Sequence, residues 1–331
     1  MYTSYDNPGL VKVLQFLKSH QFEYLSGEDL SEVLKISRVA IWKHIKKIQT
    51  LGYKIESKRN LGYRLTSTTD LMLPWEITDG LKTKHLGKKA YYFDSIESTQ
   101  NFAVMLSKKS DEVGAVIVAN TQTAGKGRMG REWVSPKGGI WMSVVLQPRF
   151  DVAKITLIPL VAAVALSNAI SRLLKIKTEL KWPNDVTING RKVAGIVIDA
   201  AIESSRLESL VLGVGINFKI NPSEIEKRIK VKDNFYGVST LVKKGDKTRP
   251  SELIQAFLEE LEKTLDVLNC DGPIPIISQW IKKSSTIGRI VSIRSQTEKV
   301  SGKALRLDID GGLMVRCGSK LIKIMSGDVG Y

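Results

Sequence analysis

Cysteine and histidine are the scarcest reactive residues of this chain, with two of the first and three of the second among 331 positions. Cys270 and Cys317 stand far apart without a C-x-x-C spacing, which argues against a disulfide framework or a cysteine-held zinc. His20, His44 and His85 are just as scattered, so a metal gripped by imidazoles and thiolates is not expected. Magnesium accompanying a nucleotide is untouched by this, because carboxylates, water and phosphates bind it. Long apolar runs are missing as well. The most apolar one, residues 155–166, falls well short of the roughly 18 residues that a membrane helix needs. Residues 1–10 show no basic segment leading into an apolar one. These absences predict a cytoplasmic protein without a membrane span. Acidic residues are in deficit: 34 Asp and Glu face 50 Lys and Arg, a formal charge of +16. That sign draws polyanions such as nucleic acid or nucleotides, although a uniformly lysine-rich surface produces the same total. With 43% hydrophobic residues, the length allows roughly two or three domains with buried cores.

The first part of the chain reads as a small helical unit. Leu10, Val13, Leu14 and Leu17 recur at helical spacing and predict an amphipathic helix over 8–20. Ser26 and Asp29 have the form of a capping box, and Leu30, Val33 and Leu34 give the next helix its apolar face before a turn at Lys35 and Ile36. Ser37 opens a third helix, striped by Ala40, Ile41, Ile45, Ile48 and Leu51, and ended by Gly52, which suits a left-handed cap. Its other surface carries Arg38, Lys43, Lys46 and Lys47. Two helices joined by a tight turn, the second one basic, form the pattern of a DNA-reading helix-turn-helix. Alternating residues at 53–57 and 62–65 predict a hairpin with Lys58, Arg59 and Asn60 at its tip, a basic wing able to meet phosphates. From Ser37 to Leu65 eight Lys or Arg face a single acid, Glu56, a bias that a merely solvated helical domain does not need. The candidate DNA contacts are Ser26, Ser37, Arg38, Lys43, His44, Lys46, Lys58 and Arg59.

A polar stretch, Ser67-Thr68-Thr69-Asp70, has the composition of a linker. Beyond it, strands are predicted at 91–93, 115–119, 186–188, 196–200 and 210–214, with a helix over 155–174, a mixed α/β pattern. The run from Gln122 to Trp133 places Gly125, Gly127 and Gly130 among Lys126, Arg128 and Arg131. Such a backbone can wrap a ligand closely and bring several cations to one point, which suits a phosphate. It lacks both the Gly-Lys-Ser/Thr ending of a Walker loop and the dinucleotide fingerprint. A flexible basic loop of no function is the other reading. In a second segment, Lys181-Trp182-Pro183-Asn184-Asp185, an apolar wall precedes two acceptors for metal or nucleotide, and Lys192 returns a cation after a turn at Asn189-Gly190. After 269–273, a short helix at 276–282 and strands at 289–294, 301–308, 312–315 and 320–325, with a turn at Asp310-Gly311-Gly312, predict a small β domain.

These segments together resemble the biotin protein ligase family over nearly the whole chain. The basic loop looks like the family's G-R-G-R-x-G-R loop, and K-W-P-N-D with Lys192-Val193-Ala194-Gly195-Ile196 looks like its second signature. Residues 94–100, with Ser98, Thr99 and Gln100, look like the segment lining the biotin pocket, and Gly213-Val214-Gly215-Ile216-Asn217 resembles the G-x-G-I-N strand end. Lys126 stands where the family often has arginine, and Gln100 where it often has asparagine. Lysine cannot give arginine's forked contact, so affinity for an adenylate could differ.

The resemblance implies an α+β multidomain chain: a winged helix-turn-helix (1–66), a biotin/lipoate-ligase-like catalytic domain akin to class II aminoacyl-tRNA synthetases (67–272), and an SH3-like C-terminal barrel (273–331). It implies that biotin and ATP, with Mg2+, form biotinoyl-5′-adenylate, and that a lysine of a biotin carboxyl carrier protein then takes the biotinyl group. Lys192, Arg128 and Arg131 would carry the catalysis. Biotin would meet Ser98, Thr99, Gln100, Gln122, Gly125, Lys126, Gly127, Arg128, Lys192, Gly195 and Gly213. The nucleotide would meet Lys126, Arg128, Arg131, Trp133, Asn184 and Asn217, and Asp185 would hold magnesium. Adenylate-linked homodimerisation on operator DNA is implied too. A lipoate-type ligase, a ligase without regulatory DNA binding, and a biotin-sensing transcription factor without catalysis are the alternatives.

Overall fold

In the computed structural model, residues 7–146, 151–204, 206–229, 237–243, 245–294 and 299–331 are described; residues 1–6, within the stretch read above as leader-free, lie outside them. Asn7 opens helix α1 (Pro8–Ser19) by accepting a hydrogen bond from the Leu10 N–H, and Pro8 sits where its missing donor is not needed. Leu10, Val13, Leu14 and Leu17 pack with Leu30 of α2 (Gly27–Leu34) and Ile41, Ile45 and Ile48 of α3 (Arg38–Thr50). The Oγ atoms of Ser26 and Ser37 cap α2 and α3, accepting from the Asp29 and Ala40 N–H groups at 3.0 and 3.3 Å. Lys35 and Gly52, at φ of 55° and 87°, turn the chain at the two helix ends as anticipated. The wing is an antiparallel hairpin of β1 (Lys54–Lys58) and β2 (Gly62–Ser67). Just after its tip the hairpin requires glycine at 62, where φ is +99° and a Cβ would lie 2.0 Å from the Leu25 carbonyl oxygen.

The middle of the chain supplies α4 (Pro74–Thr78), β3 (Ala90–Ile96), α5 (Thr99–Leu106), β4 (Val116–Gln122), β5 (Ile140–Leu146), α6 (Ile158–Leu174), β6 (Glu179–Lys181), β7 (Asp185–Ile188), β8 (Arg191–Glu203), β9 (Arg206–Ile216), α7 (Pro222–Arg228), α8 (Pro250–Cys270) and α9 (Pro273–Lys282). The strands form one seven-stranded sheet, ordered β3-β4-β5-β9-β8-β7-β6, in which only β3 and β4 run parallel. One face, with Val116, Val118, Met142, Val144, Leu212 and Val214, packs into the core shared with α6 and α8. On the other face, Ile117, Ala119, Val145 and Val211 are covered by Ala103 and Leu106 of α5.

The sequence reading contains neither β5, β6 nor α8. Every residue of β5 is buried, so its pattern is an apolar run, interrupted by Ser143, that does not alternate. The helix read over 155–174 is present as α6, and its apolar stretch is longer than the 155–166 run. Lys154–Leu174, with mean hydropathy 1.8, is long and apolar enough by composition to cross a membrane, but 67% of its most apolar window is buried inside the protein. Its apolar surface is spent on the sheet and α8.

The C-terminal strands β10 (Ile290–Arg294), β11 (Lys299–Leu307), β12 (Leu313–Cys317), β13 (Lys320–Ile324) and β14 (Asp328–Gly330) form an antiparallel sheet in the order β13-β12-β11-β10-β14. Among the described residues its end strands do not pair with each other, so the pairing pattern is that of an open sheet. The indole of Trp182 donates to the Gly311 carbonyl at 3.1 Å, and the Trp182 N–H to Thr286 Oγ1 at 3.1 Å, which docks this sheet on the K-W-P-N-D segment.

The helical unit is docked through a buried carboxylate. Glu76, 5% exposed, accepts from the Tyr53 hydroxyl at 2.5 Å and pairs with Lys18 at 2.5 Å and Arg249 at 3.0 Å. Tyr53 in turn accepts from the Trp75 indole at 2.8 Å. Burial, reinforced by the Glu76 charge, pushes the Tyr53 phenol well above its ordinary range. Removing one member of such a group strands the others. Glu76→Ala should therefore lose about 3 kcal/mol of stability, the low end of the range for broken buried pairs because Lys18 and Arg249 keep some solvent. Thermal or denaturant unfolding measures it, and a loss below about 1 kcal/mol would show that the group carries no such weight.

Candidate active site

Antiparallel register brings residues distant in sequence into rows across the sheet. Trp141 of β5, Gly215 of β9 and Gly195 of β8 share one row, and Ser143, Gly213 and Val197 the next one on the same face. The three glycines leave a floor without side chains, over which lies a cavity of about 400 Å³. The Trp133 indole rests on this floor: a Cβ at Gly215 or Gly195 would come within 2.4 or 2.7 Å of the ring. At Gly213 a Cβ would strike Gln100 Oε1 at 2.5 Å.

The inner wall is a chain of hydrogen bonds. Gln122 Oε1 accepts from the Thr99 N–H at 2.8 Å, the Thr99 hydroxyl lies 2.9 Å from that of Ser143, and Ser143 donates to Gln100 Oε1 at 2.8 Å. Thr99, Gln100 and Ser143 are each 3% exposed or less. Two buried polar atoms elsewhere in the site, Trp133 Nε1 and Asn217 Oδ1, have no partner among the described residues. Such atoms are costly unless a ligand or water satisfies them.

Cations form the opposite side. Lys126, Arg128 and Arg131 come from the glycine-rich loop, Lys181 from β6 and Lys192 from β8. Lys192 Nζ sits 2.6 Å from Asp185 and 4.9 Å from the Trp133 ring centre. Arg131 forks onto Asp328 of the C-terminal sheet with one arm at 2.8 Å, and this bond holds the Asp328 carboxyl below the usual carboxylate range. Arg128 donates to Asn184 Oδ1 at 3.1 Å. Lys181 is 4% exposed with its ammonium 4.6 Å from the Tyr331 ring centre, and burial pulls it from 10.5 down to about 8.

The structure thus gathers Thr99, Gln100, Gln122, Lys126, Gly127, Arg128, Arg131, Trp133, Asn184, Asp185, Lys192, Gly195, Gly213 and Asn217 around one cavity. Ser98 and Gly125 are expected there and do not line it. Ser98 caps α5, accepting from the Asn101 N–H at 3.4 Å. A Cβ at Gly125 would meet the Trp133 carbonyl oxygen at 2.4 Å, so this glycine closes the loop on itself. Asn184 is engaged at both ends of its amide, since its Nδ2 donates to the Ile196 carbonyl at 2.5 Å. Ser143, Lys181 and Asp328 are lining residues that the sequence reading did not select. A lone serine inside the buried run of β5 was the readable signal for Ser143.

Of the candidate DNA contacts, Arg38, Lys43, Lys46, Lys58 and Arg59 are exposed. Ser26 and Ser37 have their hydroxyls occupied as caps, and His44 is half-buried against α1 near Gly9, where burial lowers its pKa.

A cation-ringed cavity on a mixed sheet, joined to a winged helix, defines the class: this chain matches the Biotin/lipoate A/B protein ligase family over residues 92–217, an HTH domain over 10–64 and the Biotin protein ligase C terminal domain over 286–329. It is 36% identical to the Bifunctional ligase/repressor BirA of Bacillus subtilis over 93% of this chain and 94% of that one. To the protein of that name from Escherichia coli it is 27% identical over 98% and 97%. The chain belongs to the biotin protein ligase family. Among solved structures, the biotin protein ligase from Aquifex aeolicus in complex with biotin and ATP has the same fold, with a TM-score of 0.60 and 24% identity over 73% of this chain and 98% of that one.

The lowered Lys181 makes a testable point. An anion entering the cavity favours the charged ammonium and raises its pKa again. Sulfate, which carries no titrating proton in this range, should therefore take up about half a proton when it binds at pH 8, and almost none at pH 6.5, as read by calorimetry in buffers of different ionisation enthalpy. Lys181→Arg, which stays charged throughout, should abolish the uptake; equal uptake in that variant would place the titrating group elsewhere.

Proposed function

We propose that this chain activates biotin with ATP as biotinoyl-5′-adenylate, transfers the biotinyl group to a lysine of a biotin carboxyl carrier protein, and represses transcription through its winged helix. The observation that carries the enzyme reading is the cavity in which a buried amide-and-hydroxyl wall faces a group of cations across a glycine floor. Biotin has a polar ureido end and an anionic tail, and the wall and the cations suit these two ends. A carboxylate oxygen attacks the α-phosphorus of ATP, and the bond to pyrophosphate breaks. The amine of the carrier lysine then attacks the acyl carbon, loses a proton, and AMP leaves.

Thr99, Gln100 and Gln122 bind the ureido end, with Ser143 holding them in place. Ser98 acts one step back, as the cap of α5, and Gly125 through the shape of the loop. Lys192 stabilises the charge shared by carboxylate and α-phosphate in the transition state. Asp185, 2.6 Å from Lys192, would help to hold magnesium beside the phosphates, where the ion would supply further neutralising charge. Arg128, Arg131 and Lys126 cover the adenylate and keep water away, Trp133 stacks on adenine, and Asn217 meets the nucleotide with its unpartnered oxygen. Asn184 contributes by fixing Arg128.

The regulatory reading rests on the exposed basic face of α3 and the wing, and on the relatives named ligase/repressor. It extends to a cytoplasmic homodimer on an operator, assembled when adenylate is bound. The three working units are 1–66, 67–272 and 273–331, the last an SH3-like unit whose five strands pair as an open antiparallel sheet.

Transfer of biotin to an acceptor domain of a biotin-dependent carboxylase, with ATP and magnesium, tests the enzyme. ATP-dependent labelling on an avidin blot is expected, and Lys192→Ala should slow adenylate formation about 100- to 1000-fold with the fold intact. A folded protein that binds biotin and labels nothing would favour a non-catalytic sensor. Replacing Lys43 and Lys46 with alanine should lower the salt dependence of DNA binding by about two counterions and leave ligation unchanged. Equal loss of both activities would contradict separate functions.

A further inference from the structure

We propose that Val39 and Trp42 read thymine methyl groups in the major groove, so that the apolar part of α3, and not only its cations, selects the DNA sequence. This rests on the DNA-binding reading above and deepens it. On α3 the core face is Ile41, Ile45 and Ile48, each fully buried. Arg38, Val39, Trp42, Lys43 and Lys46 occupy the outward face, and Val39 and Trp42, three residues apart, are neighbours on it. They are 66% and 50% exposed, a large apolar surface left in water in the middle of a basic helix.

What covers them is constrained by charge. Helix α3 has no acidic residue. In the hairpin alongside, Glu56 is already paired with Arg64 at 2.6 Å, and the tip adds exposed Lys58 and Arg59. The face therefore fits a polyanion that also offers isolated apolar spots. In double-stranded DNA those spots are the C5-methyl groups of thymine, displayed only in the major groove, which is wide enough to admit a helix. The cations around the pair engage phosphates and base edges, while Val39 and Trp42 supply contacts that cytosine and the purines cannot satisfy. An anionic membrane surface would also attract a basic, apolar helix. The wing beside α3 favours DNA, because a hairpin tip set next to a helix can reach the backbone flanking a groove.

The test uses the full chain with biotin and ATP. A duplex selected from a randomised DNA library is resynthesised with each thymine in turn replaced by deoxyuridine, which lacks only the methyl group. At one or more positions of the site, affinity should fall about fourfold, the worth of one buried methyl. In Trp42→Ala or Val39→Ala the same base change should make no difference, while the melting temperature and the salt dependence of binding stay as in the parent. Indifference of the parent to every thymine-to-uracil change would overturn the proposal and leave DNA binding standing, and so would discrimination that survives in both variants. If no sequence is enriched and the chain instead binds phosphatidylglycerol vesicles through Trp42, the DNA reading fails together with it.

Discussion

A one-residue slip between β8 and β9 would destroy the site without breaking the sheet. Side chains alternate across a strand, so such a slip turns Gly195 or Gly215 from its row and brings a branched neighbour, Ile196 or Val214, under the cavity. The register is held because that same shift would also pull Ile196 and Val214 out of the core, where both are 2% exposed or less. The hydrophobic face thus fixes the empty face. Trp133 can rest on the sheet, and the loop that carries it can close, only because Gly195 and Gly215 carry no side chain there.

The cations above that floor are restrained by partners of the chain's own. Lys192 is paired with Asp185 and Arg131 with Asp328, and Arg128 leans on Asn184. A ligand must compete with these partners, which disfavours small monovalent anions and favours a group that can engage several cations together. Asp328 belongs to the C-terminal sheet and Trp182 is bonded to that sheet through Gly311. The last domain therefore helps to set both the position of the loop and the wall beneath it.

Much of this was legible in the sequence, for reasons that differ by element. In the three-helix unit a capping residue stands at each start and local rules place the helices, although Val33, read as part of the apolar face of α2, is 57% exposed and leaves Leu30 as the buried residue of that helix. The loop and the K-W-P-N-D segment carry unusual residues at short spacing, and their convergence is a property of the sheet that either segment alone does not reveal. What was not legible depends on partners far away in the chain. Strand β5 is buried on both faces and has no period to read. Ser98 and Gly125 look like ligand contacts by position, yet one is spent on a helix cap and the other on a close backbone approach. The Arg131–Asp328 bond spans 197 residues, and no local pattern announces it.

The docking of the winged helix bears on how such a protein can be shortened or recombined. Glu76 draws two of its partners, Lys18 and Tyr53, from the N-terminal unit, and only Arg249 from the long helix of the catalytic part. A gene that lost its first segment would leave a carboxylate at a newly opened surface, facing a single arginine, beside apolar residues such as Trp75 that had been covered. The two halves are thus modular in their chemistry and joined in their folding. A lineage that discards the DNA reader must also repaint the wall it leaned on.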